Sequence, residues 1–162
     1  MIRFAKVSFI VIAALLSQVT LFPGYLRDPF QPNLLIILVV YMVLRSTTRF
    51  GGPAAFSLGL LQDCFSGLYL GLNGFSYLCV YLLLDKISDR LYTNSRYLII
   101  LVVFLATIVS GMLNLLLLVI FSAANGIYTT LLPALLPQAL VNALVASLIF
   151  SFPVFGVMEE GR

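Results

Sequence analysis

The chain has 162 residues, of which 62% are hydrophobic and only 9% charged. Soluble domains carry about 25% charged residues. The composition therefore excludes an ordinary soluble globular protein, a disordered segment and a secreted disulfide scaffold, and fits an integral membrane protein. The net charge is +3 and there is no histidine, so the usual neutral-pH acid/base group and the commonest metal ligand are both missing. In a membrane chain a basic balance reflects topology rather than nucleic-acid binding, because Lys and Arg gather in cytoplasmic loops.

The charged residues divide the chain into apolar spans. Val7 to Leu26 is uncharged and predicts helix 1 at about 7–26. The basic start, Arg3 and Lys6, precedes an apolar run that continues to about Phe22. That is longer than a signal-peptide core and has no small-residue cleavage site behind it, so helix 1 is expected to be retained. Pro29 to Leu44 predicts helix 2 at about 29–44, with its prolines in the first turn. Gly51-Gly52-Pro53 marks a turn before helix 3, about 53–66, and a glycine-rich break precedes helix 4, about 72–84. A charged loop follows, Asp85 to Arg96. The 62 residues from Tyr97 to Met158 carry no charge and hold two spans. Ala124-Asn125-Gly126 is the best turn between them, which places helix 5 at about 97–121 and helix 6 at about 134–155. The expected fold is thus all-α: one integral membrane domain, residues 1–162, with six transmembrane helices.

Charge orients it. With six spans and both termini cytoplasmic, Arg3, Lys6, Arg45, Arg49, Lys86, Arg90, Arg96 and Arg162 lie inside and only Arg27 outside. Such asymmetry is what the positive-inside rule requires of a multi-pass cytoplasmic-membrane protein. A re-entrant hairpin in place of helices 3 and 4 would send Lys86, Arg90 and Arg96 outward. Both helices are nevertheless short for full spans.

Gly51, Ala55, Gly59, Asp63, Gly67 and Gly71 follow one another at steps of four. Small residues on such a ridge let another helix backbone approach closely. Asp63 does not fit simple packing, since a carboxylate in a span costs ~2.5–3.5 kcal/mol and needs a partner or water. Two readings stay open: Asp63 meets a binding partner or pocket, or it caps a neighbouring helix near the membrane surface.

The amide side chains within spans all fall in the outer halves. Gln18 lies on helix 1, Gln62 beside Asp63 on helix 3, Asn73 at the start of helix 4, Asn114 on helix 5, and Gln138 and Asn142 on helix 6. Asn33 begins the apolar run of helix 2. Buried amides need hydrogen-bond partners, so this cluster predicts either an outward-facing polar pocket or interhelical contacts worth ~0.6 kcal/mol each. Partner or pocket candidates are accordingly Asp63, Gly59, Gly67, Asn33, Asn73, Asn114, Asn142 and Gln138.

Catalytic constellations are missing. An intramembrane aspartyl protease needs two facing aspartates, and only Asp63 lies in a predicted span. No His-Glu-x-x-His helix, P-loop or serine–histidine pair is present. Cys64 and Cys79 form no metal-ligand spacing and read as small buried hydrophobes. No cofactor or metal is expected, and the chain reads as non-enzymatic.

Gln31-Pro32-Asn33-Leu34-Leu35, then Gly59-Leu60-Leu61-Gln62-Asp63-Cys64-Phe65-Ser66-Gly67 and Leu70-Gly71-Leu72-Asn73, resemble the MreD family of rod-shape-determining membrane proteins. The family pattern is a Pro-Asn or Pro-Asp before helix 2, then G-x-x-x-D-x-x-S-G and a following Leu-Gly. Chain length and six-helix hydropathy match as well. Cys64 and Phe65 stand where the family usually has aliphatic residues. The resemblance implies a non-enzymatic inner-membrane component of the bacterial elongation machinery. Its implied partners are MreC and, through it, a SEDS glycosyltransferase and a penicillin-binding transpeptidase, coupled to MreB filaments. Membrane lipids are further expected partners, and nucleic acid is not. The resemblance also implies the fold of the substrate-binding subunits of energy-coupling-factor vitamin transporters. A small-molecule- or lipid-binding transport subunit is the alternative function.

Overall fold

A computed structural model describes residues 11–21, 30–45, 50–66, 69–88, 96–121 and 127–151. The described residues are all helical apart from short connecting stretches. Residues 11–16 are α-helical and run into a π-helical turn, Ser17–Leu21; together they form α1. Then follow α2 (Leu34–Arg45), α3 (Gly51–Ser66), α4 (Leu72–Ser88), α5 (Arg96–Phe121) and α6 (Ile127–Ser151). Tyr97–Phe121 and Leu131–Ser151 are long and apolar enough to cross a membrane.

Helix α2 is central. No side chain from Leu34 to Leu44 is exposed, and Leu35, Val39 and Val40 are wholly buried. A helix that is apolar all round needs cover on every side, and α2 receives it from two hairpins. One is α3 with α4, the other α5 with α6, and each pair packs closely along its length. Tyr77, Val80 and Tyr81 of α4 and Val102, Val103 and Ala106 of α5 share the core with α2, and Leu15 of α1 joins it. Near the far end of α2, Tyr41 stacks on Phe150 of α6, with ring centroids 5.6 Å apart.

Small residues set the hairpin spacing. Gly51, Ala55, Gly59 and Asp63 form a buried ridge on α3. A Cβ added at Gly59 would stand 2.5 Å from both the Asn73 carbonyl oxygen and the Gly74 Cα, so α3 and the start of α4 touch backbone to backbone. At Gly51 the added atom would run into the Tyr81 ring. The ridge therefore packs inside the chain. Its described part reaches Asp63, and Gly71 lies in the turn before α4 with φ +95°, a conformation that suits glycine. Gly67 lies outside the described residues. In the other hairpin Gly111 leaves room for Leu135.

Several helix boundaries depart from expectation. Helix 2 begins at Leu34 rather than 29, because Asn33 is its cap: the Asn33 Oδ1 accepts from the Ile36 amide at 3.3 Å. At the start of α3, the Phe50 carbonyl accepts from the Ala54 amide at 3.0 Å, so the helix takes in Gly51 and Gly52. Helix 4 continues past 84 to Ser88, since Asp85 and Lys86 are compatible with helix and merely end its apolar stretch. Helix 6 begins at Ile127 rather than 134, and its described part ends at Ser151. It carries Pro133 and Pro137 in its interior. Proline removes one amide from the ladder without ending a helix that neighbouring helices hold in place. The Ala124–Gly126 turn, the charged loop beyond Ser88 and both termini lie outside the described residues.

Candidate functional site: a polar lock at one end of the bundle

The polar residues of the sequence converge where α2 and α4 begin and α3 ends. A helix start leaves backbone N–H groups without intrahelical acceptors. Around a buried core these must be met by the protein itself. Two hydrogen-bonded chains meet them.

The first is centred on Asp63, which is 2% exposed. Its carboxylate accepts from the backbone amides of Gly71 (2.9 Å), Asn73 (3.1 Å) and Gly74 (3.2 Å). It also accepts from the Asn73 side-chain amide at 2.8 Å. Asp63 is thus the N-terminal cap of α4, supplied by the preceding helix rather than by the usual adjacent residue. Its negative charge also lies at the positive end of the α4 dipole. The close approach at Gly59, one turn earlier, brings the carboxylate within reach of these amides. Beyond Asp63 the chain continues in one direction. Ser76 Oγ donates to Asn114 Oδ1, Asn114 Nδ2 donates to Asn73 Oδ1 at 2.8 Å, and Asn73 donates to the carboxylate. It connects α3, α4 and α5.

The second chain is centred on Asn33. Its backbone N–H donates to Asn142 Oδ1 at 2.7 Å, and its side-chain Nδ2 donates to the Tyr77 hydroxyl at 2.7 Å. Tyr77 in turn donates to Gln62 Oε1. Asn142, wholly buried on α6, donates to Thr107 Oγ1 at 3.1 Å, and Thr107 donates to the Val103 carbonyl at 2.8 Å. Asn33 therefore ties the start of α2 to both hairpins: to α3 and α4 through Tyr77, and to α5 and α6 through Asn142.

Of the candidate residues, Asp63, Asn73 and Asn114 share the first chain, and Asn33 and Asn142 the second. Gly59 stands beneath the first as the contact that makes it possible. Gln138 is half-buried on α6, one turn before Asn142, and the described bonds do not reach it. On α1 the Gln18 Oε1 is buried without a hydrogen-bond partner among the described residues. Ser76, Tyr77 and Thr107 are members that sequence reasoning missed. The first two were detectable: with Asn73 they stand at i, i+3 and i+4, on one face of α4. Chemically the arrangement is an internal hydrogen-bond network in which no buried side-chain oxygen or nitrogen of a member lacks a partner. Among the described residues no three or more metal-ligating side chains cluster.

The Asp63 and Asn33 segments that build this lock are the strings that resemble MreD, and the comparison with known families agrees. The chain matches the family of rod shape-determining protein MreD over residues 2–160. It belongs to the MreD family. No curated protein and no solved structure matches it. MreD proteins are structural, shape-determining membrane proteins that work alongside other shape proteins.

Proposed function

We propose that this chain is a six-span inner-membrane scaffold of the cell-elongation machinery. In this reading it forms a single integral membrane domain, binds MreC, and helps couple the SEDS glycosyltransferase and penicillin-binding transpeptidase of peptidoglycan synthesis to MreB. Both termini are cytoplasmic. The MreD match over nearly the whole chain carries the reading. Charge supports the orientation: the C-terminal ends of α2 and α4 and the N-terminal end of α5 bring Arg45, Lys86 and Arg96 to the end of the bundle away from Asp63.

Bilayer physics supplies a reason for the lock. At 1.5 Å per residue, α2 spans about 18 Å, α3 about 24 Å and α4 about 26 Å, all short of a hydrocarbon core of about 30 Å. The turns at their outer ends then sit where water is scarce, and backbone amides there need partners within the protein. Asp63 and Asn142 supply them. Among the described residues the side-chain amides of the lock bond within the protein, Asn114 to Asn73 and the others to hydroxyls and backbone groups, which favours a scaffold over a transport subunit with a polar pocket. A fold like that of the substrate-binding subunits of energy-coupling-factor transporters belongs to the same proposal, in keeping with the six described helices.

Co-purification tests the function. The tagged chain, extracted in mild detergent from cells of rod shape, should retain MreC, and its depletion should round the cells. Rods that persist on depletion, with no MreC captured, would overturn the proposal.

A further inference from the structure

The described helices are not equally suited to a bilayer. Helices α5 and α6 are long and apolar enough to cross one, and α2 is a shorter helix that is apolar from Leu34 to Leu44. Helices α3 and α4 are neither. At 16 and 17 residues they fall short of the about 20 that a span takes. Helix α3 carries Gln62 and Asp63 in its outer half, and α4 carries Asn73, Ser76 and Tyr77 in its first turns. Such groups are costly in hydrocarbon unless they are met.

They are met by each other. Asp63 accepts from the backbone amides of Gly71, Asn73 and Gly74 and from the Asn73 side chain, and Tyr77 donates to Gln62. Among the described residues, the side-chain hydrogen bonds of Gln62 and Asp63 all go to the segment 71–77. At Gly59 the two helices touch with no room for a Cβ. Helix α3 is also made first. Inserted alone, it would hold a bare carboxylate in the membrane until α4 emerged.

We infer that α3 and α4 enter the membrane as one helical hairpin, paired through Gly59, Gln62 and Asp63, rather than as two spans inserted independently. The inference rests on the membrane reading above. The two routes respond to different things. Independent insertion follows the apolarity of each helix. Paired insertion follows the fit between them. Gly59→Thr separates the two, because glycine and threonine differ little in hydropathy, while the new Cβ would stand 2.5 Å from the Asn73 carbonyl oxygen.

The test reads topology in the full chain. With Cys64→Ala and Cys79→Ala in place, Leu70→Cys puts a single thiol in the turn before α4, where Leu70 is 76% exposed. Spheroplasts are treated with a membrane-impermeant maleimide, and labelling is divided by that obtained after permeabilisation. The chain with these three changes alone should label from outside. Adding Gly59→Thr should lower outside labelling about three-fold or more, the weight of one interhelical hydrogen bond in a membrane. Adding Ser57→Thr, on the exposed face of the same helix, should leave it unchanged. The side of labelling reports topology and not melting, so a loosened hairpin that has inserted still labels. Gly59→Ser, which is smaller, takes the place of Gly59→Thr if that chain is degraded. Equal outside labelling of the Gly59→Thr and Ser57→Thr chains, whether high or low, would overturn the inference. A thiol at position 70 that labels only after permeabilisation, with no change in α3, would instead refute the six-span reading.

Discussion

Replacing Asp63 by leucine removes the acceptor for three backbone amides and one side-chain amide at once. The Gly74 amide is buried, and leaving it unmet costs about 2 kcal/mol. Gly71 and Asn73 are half-buried, and in detergent solution, outside the bilayer, water reaches both amides in part, so each loss is about 0.5–1 kcal/mol. The lost charge at the α4 N-terminus adds about 0.5 kcal/mol. The sum is about 3.5–4.5 kcal/mol, equivalent to a fall of roughly 12 °C in melting temperature for a chain of this size. Asp63→Asn keeps one acceptor oxygen and the shape but loses the charge and half the acceptor capacity, so about half that fall is expected. The assay is melting of both variants in detergent, run beside complementation of rod shape in a depleted strain. Wherever Asp63→Leu is folded it should still support rods, since the carboxylate is engaged within the chain. A variant that melts within about 2 °C of the parent, yet leaves the cells round, would refute the cap and assign Asp63 to a partner.

Gly59→Ala should lower melting measurably, by about 1–3 kcal/mol, because its Cβ meets the α4 backbone and the hairpin must open. Gly52→Ala, whose Cβ would rest 3.5 Å from the flexible Leu78 side chain, should be nearly silent; equal effects at the two sites would show that the ridge does not set the hairpin spacing. A double-mutant cycle of Asn73→Ala and Asn114→Ala should give a coupling of about 0.6–1.7 kcal/mol in detergent melting, and strict additivity would remove their hydrogen bond. Reporter fusions at Ala124 and Arg162 should read outside and inside respectively, and an external Arg162 would defeat the six-span arrangement.

Hydropathy and charge order made much of this protein legible without a structure. The helical class, the two long apolar helices and the prominence of Asp63 follow from the medium alone, because a bilayer tolerates few polar residues and makes each of them conspicuous. The Asn33 segment instead stood out through its resemblance to the MreD pattern. The step-of-four ridge on α3 was equally visible. Its partner was not. A small-residue ridge states that a backbone comes close but not whose, and only the packing identified the start of α4. Asp63 likewise stood between partner and cap until the fold placed Gly71, Asn73 and Gly74 around it. Asn33 and Asn142 lie far apart in sequence and meet only because α2 begins inside the bundle, a start that hydropathy alone misplaces at Pro29. Pairings of this kind depend on how six helices share one core, and side-chain periodicity along a single helix carries no record of its neighbours.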